Sequence, residues 1–232
     1  MLNVFKPVGM TSHDVVALAR RRLGVQKTGH AGTLDPAACG VLVLLVGRPA
    51  TRLSARLAAG DKAYRVEAAF GIGTATGDVE GEITAELKKP VRKGAVLNVL
   101  PSFTGVITQT PPMTSAVKVG GRKLYSLAHR GISIERPSRE VTVRRLELLD
   151  MYRRGGLTRA LLHLECSSGT YVRTLVEDMG AALGVPACVT FLLRVRCGGF
   201  VLRDAAPLEE VKAPGVWRLL APPEDFSAGR PV

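Results

Sequence analysis

Nothing in this 232-residue chain is long and apolar enough to cross a bilayer as a helix. The longest aliphatic run, Val41 to Val46, is six residues, against the roughly 20 that a spanning helix needs. The N-terminus reads Met1-Leu2-Asn3-Val4-Phe5-Lys6-Pro7, so a charge and a proline arrive before the apolar core of a secretory signal can form. Cysteine is sparse, at positions 39, 166, 188 and 197 only. No pair has the close spacing of a structural zinc site, and four thiols are too few to staple a chain of this length. They read as small buried hydrophobes in a reducing compartment, and the expected location is cytoplasmic. Several catalytic signatures are missing too: no phosphate-binding glycine loop, no paired histidines for a metal and no G-x-S-x-G elbow.

Acidic residues are also in short supply. Asp and Glu number 20 against 32 Lys and Arg, a net charge of +12. An excess of that size favours a polyanionic partner such as nucleic acid, although many basic proteins are merely soluble. Length bounds the architecture to one large domain, or a domain with an insertion. A chain this long buries roughly 70–75 % of the surface its unfolded form exposes and folds without disulfide or metal.

The residue pattern alternates between both kinds of secondary structure. Residues 2–5 read as a strand ending in the turn Lys6-Pro7-Val8-Gly9. Thr11 or Ser12 can cap a helix to about Leu23, with Asp14 in its first turn. Residues 28–40 read as a loop of small residues, followed by Val41–Val46 as a strand covered on both faces. Between Lys62 and Phe70 the period is two, with Tyr64, Val66, Ala68 and Phe70 on one face and Arg65 and Glu67 on the other. Residues 141–149 and 157–166 read as further strands, and 189–197 with 199–203 as a closing pair. A helix is expected from near Thr170, its stripe Val172, Leu175, Val176, Met179 and Leu183 stopped by Gly184 and Pro186. A short one is expected at Leu208–Lys212. Strands with scattered helices imply an α+β fold.

One segment stands apart. Between Lys118 and Arg145 there are eight Lys or Arg and two Glu, a net +6, half of the chain's excess in 28 residues. Flanked by Pro111-Pro112 and broken by Gly120-Gly121, Gly131 and Pro137, it reads as an exposed excursion, either solvated or in contact with RNA. Tyr125 and His129 lie among its charges.

Three residues invite a chemical reading. Asp35 precedes Pro36, which biases it toward an extended conformation, in a loop where Gly29, Gly32 and Gly40 offer no side chain to obstruct an approaching nucleic acid. By itself Asp-Pro is most often a turn. Arg173 falls in the first turn of its helix, where a cation opposes the dipole by roughly 0.3–1 kcal/mol; a nearby carboxylate or phosphate would offset that. Tyr64 heads the apolar face of its strand, as a core residue or as a ring stacked on an extruded base.

Taken together, several blocks resemble one family. Lys6-Pro7-Val8-Gly9-Met10-Thr11-Ser12, Gly29-His30-Ala31-Gly32-Thr33-Leu34-Asp35-Pro36 and Gly47-Arg48-Pro49-Ala50-Thr51 are similar to motifs of the TruB-type tRNA pseudouridine synthases. So are Lys62-Ala63-Tyr64-Arg65, Phe70-Gly71 with Thr74 to Gly81, Ser115-Ala116-Val117-Lys118 and Cys166 to Thr174. The resemblance runs from residue 1 to about 212 and implies a pseudouridine synthase fold, a mixed, mostly antiparallel sheet with helices and loops around it. It implies that uridine at position 55 of the tRNA T loop is isomerised to pseudouridine by base flipping, without metal or organic cofactor. Asp35 would be the essential carboxylate, acting on either the pyrimidine ring or the ribose.

By the same resemblance Arg173 would pair with Asp35, Tyr64 would stack on the base, and Leu192 would cover it from the apolar side. Lys6 would support the loop, and His30 would take the place of the flipped nucleotide. Lys118, Arg122, Lys123, Tyr125 and Arg130 would grip RNA from an insertion at about 112–140, with residues 1–212 as the catalytic domain. The chain departs from the pattern at Thr114, at Leu193-Arg194-Val195, expected to alter RNA grip, and beyond Asp204. There a short tail, 213–232, is expected in place of the C-terminal RNA-binding domain of many relatives. The expected partner is the T stem-loop of tRNA, bound by a monomer with no guide RNA and no membrane. Two alternatives are an RNA-binding protein that has lost activity and a guide-RNA-dependent relative. The presence of Asp35, Tyr64 and Arg173 opposes the first, and the Phe70–Gly81 block opposes the second.

Overall fold

The computed structural model describes residues 1–113, 115, 118–119, 122–123 and 134–222, with 118–119 and 122–123 by backbone alone. Its compact units are Met1–Arg65 with Leu192–Val232, and Val66–Phe191. None of the described helices is long and apolar enough to cross a membrane.

The first unit is organised around β3 (Ala38–Val46), in which every residue but Val46 is buried. β1 (Leu2–Lys6) pairs with it antiparallel, placing Leu2 opposite Leu44 and Lys6 opposite Gly40. β2 (Thr28–Ala31) makes a second antiparallel ladder along Val43–Val46. β12 (Ala187–Cys197) runs parallel to the start of β3, with Leu192 opposite Ala38 and Arg194 opposite Gly40. Because successive side chains of a strand point to opposite faces, β3 feeds two clusters. Leu42 and Leu44 pack with Leu2, Val4, Leu208, Val211 and the Val15, Val16, Ala19, Leu23 face of α1 (Ser12–Leu23). Val41, Val43 and Leu45 pack with Met1, Ala31, Ala50, Cys197 and Phe200. Each such Val or Leu contributes roughly 1.5–3 kcal/mol on leaving water. α1 is fixed at its start by a capping box: Thr11 accepts from the Asp14 N–H, and the Asp14 carboxylate accepts from the Thr11 N–H.

In the second unit β10 (Arg139–Arg154) pairs antiparallel with both β7 (Gly105–Gln109) and β11 (Leu157–Cys166). The β10–β11 loop is Gly155-Gly156, both at positive φ, as a tight hairpin turn requires. β4 (Lys62–Phe70) begins in the first unit and continues here with Val66, Ala68 and Phe70 buried and Glu67 partly exposed, in the expected alternation. α5 (Val172–Ala182) buries Val172, Leu175, Val176 and Met179. All four cysteines are free and buried.

Several boundaries differ from expectation. The small-residue loop is shorter than 28–40, because Thr28–Ala31 is recruited as β2 by pairing with β3. The basic excursion ends by Arg139, where hydrogen bonds from β7 and β11 take up the backbone. The last strand is Phe200–Val201 only, followed by a 3-10 turn at Leu202–Asp204. Helices α2 (Gly47–Arg52), α3 (Ser54–Ala58) and α4 (Lys93–Val99) and strands β5 (Ile72–Thr74), β6 (Ile83–Glu86) and β7 show too little periodicity to be expected from sequence.

Candidate active site

Asp35 lies between β2 and β3, partly exposed, in the irregular segment 32–37. Irregular backbone is ordinarily the least constrained part of a fold, but here it is held carbonyl by carbonyl. Arg194 donates from Nη2 to the Gly32 carbonyl (3.1 Å), from Nη1 to that of Thr33 (3.1 Å) and from Nε to that of Val41 (2.8 Å). Ser12 Oγ donates to the Leu34 carbonyl at 2.9 Å and accepts the Leu34 N–H at 2.8 Å. The Asp35 carbonyl accepts from the Ala38 N–H at 3.1 Å, closing a turn over Pro36. The Pro36 carbonyl accepts from the Gly9 N–H at 2.9 Å and from Lys6 Nζ at 3.4 Å. Every carbonyl from Gly32 to Pro36 therefore has a donor, where an unsatisfied buried one costs about 1–3 kcal/mol.

Lys6 is fully buried, and its ammonium also donates to the carbonyls of Pro7 (2.8 Å) and Met10 (2.7 Å). It thus joins the turn after β1 to the turn that bears Asp35. Leu192, buried, lies beside Ala38 through the parallel ladder. Tyr64 is buried near the start of β4. His30 is half-buried on β2 opposite Leu44. Burial pushes its imidazole pKa down, and the positive charge of Arg194 pushes the same way, which favours the neutral imidazole.

Two residues beside this loop have roles other than those the sequence suggested. Arg194, expected to alter RNA grip, is 1 % exposed and holds backbone instead. Gly40 is not open to an approaching nucleic acid. Its φ is +109°, and a Cβ there would stand 2.8 Å from Arg194 N and closer still to the Arg194 carbonyl oxygen. The backbone of β12 occupies that side. Gly29 is open, with nothing within 4 Å of such a Cβ.

Arg173 belongs to the second unit. Its helix begins at Val172 with Tyr171 at the N-cap, not Thr170, whose hydroxyl turns back to the Ser167 carbonyl. In place of a local cap, the side-chain amide of Gln109 grips Tyr171 from both sides. Its Nε2 donates to the Tyr171 carbonyl (3.2 Å), and its Oε1 accepts the Tyr171 N–H (2.9 Å). Arg173, 5 % exposed, donates to the Thr76 carbonyl at 2.8 Å and lies 3.6 Å from the Asp78 carboxylate. Asp78 also accepts from the Thr76 hydroxyl (2.6 Å) and the Glu80 N–H (3.1 Å). A carboxylate thus offsets the unfavourable cation at the helix start, and the buried pair has the further hydrogen bonds such a pair needs.

Lys118, Arg122 and Lys123 fall on β8 (Lys118–Val119) and β9 (Arg122–Lys123), paired by backbone; their side chains, and all of Tyr125 and Arg130, lie outside the described residues. Among the described residues, no His, Cys, Asp and Glu gather in a group of three or more that could hold a metal.

Residues 20–172 match the N-terminal domain of the TruB family of pseudouridylate synthases. A tRNA pseudouridine synthase B of Symbiobacterium thermophilum is 53 % identical over 96 % of this chain and 74 % of its own length. The chain belongs to the TruB family.

A TruB-family protein of Moorella thermoacetica, also named tRNA pseudouridine synthase B, is 48 % identical and matches the whole of this chain and 77 % of itself. That match takes in Lys6, Ser12, Arg173, Leu192 and Arg194, which lie outside residues 20–172. Solved structures share the α+β pseudouridine synthase fold. One is a Cbf5-Nop10-Gar1 complex, with TM-score 0.71 and 30 % identity over 94 % of this chain and 55 % of that one. Another is an H/ACA RNP bound to a substrate RNA containing 2'-deoxyuridine, with TM-score 0.67 and 26 % identity over 94 % and 54 %. The chain spans about half the length of those two. Ser12 and Arg194 at the Asp35 loop, and Gln109 and Asp78 at the start of the Arg173 helix, make contacts that composition and spacing did not reveal. Ser12 lies within the Lys6–Ser12 block and Asp78 within the Thr74–Gly81 block, whereas Gln109 lies in none of them.

Proposed function

We propose that this TruB-family isomerase converts uridine 55 in the T loop of tRNA into pseudouridine, with the Asp35 carboxylate as its essential group. What supports this most is the loop itself: five successive carbonyls tied down around one aspartate. That is the preorganisation expected of a group that must meet a substrate atom in one geometry. The Symbiobacterium and Moorella relatives carry the name tRNA pseudouridine synthase B, which favours free tRNA over a guide-bound substrate.

The reaction breaks the C1′–N1 bond of the uridine, turns the uracil and joins C1′ to C5, while the C5 proton leaves and N1 gains one. The base must first leave the stack, at a cost of a few kcal/mol, and an ionised carboxylate can then act without an activating base. In this reading Tyr64 stacks on the extruded uracil, Leu192 covers its apolar side, and His30, uncharged, fills the vacated place in the RNA. Lys6 supports the loop. The catalytic domain extends over residues 1–212, with Lys118, Arg122, Lys123, Tyr125 and Arg130 of its insertion contacting RNA.

The test uses T stem-loop RNA tritiated at uracil C5, with no guide, metal or cofactor added. Tritium release is expected from the native protein, and Asp35→Asn is expected to abolish release while RNA binding survives. Binding without release by the native protein would make it an RNA-binding protein only. Release retained by Asp35→Asn would take the essential role from Asp35.

A further inference from the structure

We propose that Ser12 is a positioning residue for the reaction, setting the place of Asp35 through the peptide that precedes it. The proposal rests on the assignment of Asp35 as the essential carboxylate. Ser12 is 2 % exposed and is the first residue of α1. A serine there would ordinarily serve its own helix, but the cap is Thr11, which already accepts the Asp14 N–H. The Ser12 hydroxyl is thereby left for another partner, and it takes both backbone groups of Leu34, 22 residues away.

One hydroxyl that donates to a carbonyl and accepts from the N–H of the same residue resists both rotation and translation of that residue. Leu34 is itself 3 % exposed, so water cannot substitute for the lost partner without entering the core. Upstream, Arg194 holds Gly32 and Thr33; downstream, the Ala38 N–H and the Lys6 ammonium hold Asp35 and Pro36. The Ser12 hydroxyl, bound to the peptide groups of Leu34, is the tie immediately before Asp35 in the chain. Without it the loop keeps both ends and gains slack where the carboxylate is attached. A displacement of about 1 Å at a reacting group costs on the order of a hundredfold in rate.

The test compares Ser12→Ala, Ser12→Thr and Thr11→Ala in the full chain under single turnover. Native tritium release and its loss in Asp35→Asn are measured alongside, so that failure of the underlying assignment shows separately. Ser12→Ala is expected to lower the single-turnover rate by about 10- to 100-fold with unchanged affinity for the T stem-loop. Ser12→Thr, which keeps the hydroxyl, is expected to recover most of that rate. Thr11→Ala removes the cap of the same helix and is expected to lower the melting temperature while leaving the rate near native. The proposal fails if Ser12→Ala turns over at the native rate, if its loss lies in affinity alone, or if Thr11→Ala loses rate to the same extent.

Discussion

At the scale of single residues, the Asp35 loop and the start of the Arg173 helix are each held by side-chain hydrogen bonds to backbone. Ser12 and Gln109 do the same thing in different units. Each uses one polar side chain to donate to the carbonyl and accept from the N–H of one residue, Leu34 in the first case and Tyr171 in the second. Leu34 precedes Asp35 by one position, and Tyr171 precedes Arg173 by two. In both cases the main chain next to an ionic residue is held by one side chain from elsewhere in the fold. Gly40 serves the same end by omission, since its missing Cβ lets β12 approach closely enough for Arg194 to reach the loop. Gly40→Ala must therefore either separate the parallel strands or strain a residue at φ +109°. It is expected to cost about 3 kcal/mol or more in urea unfolding. Gly29→Ala, with open space around it, is expected to stay within about 0.5 kcal/mol of native. Equal losses in the two variants would mean that β12 does not set the requirement at position 40.

At the scale of elements, four strands meet at one carboxylate within the second unit. Glu67 of β4 accepts from the hydroxyls of Thr190 on β12 and Tyr152 on β10 and from the guanidinium of Arg159 on β11. Burial pushes its carboxyl pKa up, but the three hydrogen bonds, with the charge of Arg159, outweigh that and hold it below the usual 4.5. A carboxyl whose pKa is depressed by folding adds stability above its unfolded value, and that stability is lost as pH falls through the folded one. Glu67→Gln is accordingly expected to be less stable than native at about pH 7, with a smaller further loss between about pH 5 and pH 3. Parallel pH profiles of the urea midpoint in the two proteins would show that Glu67 is not held ionised by its neighbours. Such a junction is opaque to sequence, since Glu67 and Thr190 are 123 residues apart. Where neighbours along the chain suffice, the residue pattern alone is nearly enough: it offers Thr11 or Ser12 as the cap with Asp14 in the first turn, and shows the alternation of β4 and α6 (Leu208–Lys212). α2 and α3, of six and five residues, are too short to show a period. β2 exists because β3 pairs with it. The same division holds in the site, where Asp35 and Arg173 stand out as odd residues in local context. Arg194 does not, because its work depends on a register set 153 residues away from Val41.

At the scale of the whole molecule, charge is distributed differently from the impression given by its densest stretch. Residues 118–145 carry +6, but the rest of Val66–Phe191 is acidic enough that this unit holds 16 basic against 12 acidic residues, a net +4. The first unit holds 16 against 8, a net +8. Its Arg21, Arg22, Lys27, Arg48, Arg52 and Arg56 are all exposed. An RNA backbone attracted by net charge has more to gain from the unit that carries Asp35 than from the insertion. If about five phosphates are neutralised, affinity for the T stem-loop falls roughly 500-fold between 50 and 200 mM salt on the duplex DNA scale. Changing Lys118, Arg122 and Lys123 together to Glu is expected to weaken binding at every salt concentration, and to reduce the slope of log affinity against log salt by about two to three. A substantial slope should remain, supplied by the first unit. A flat response in the triple variant would assign all phosphate contact to the insertion. An unchanged one would remove the three side chains from the RNA altogether.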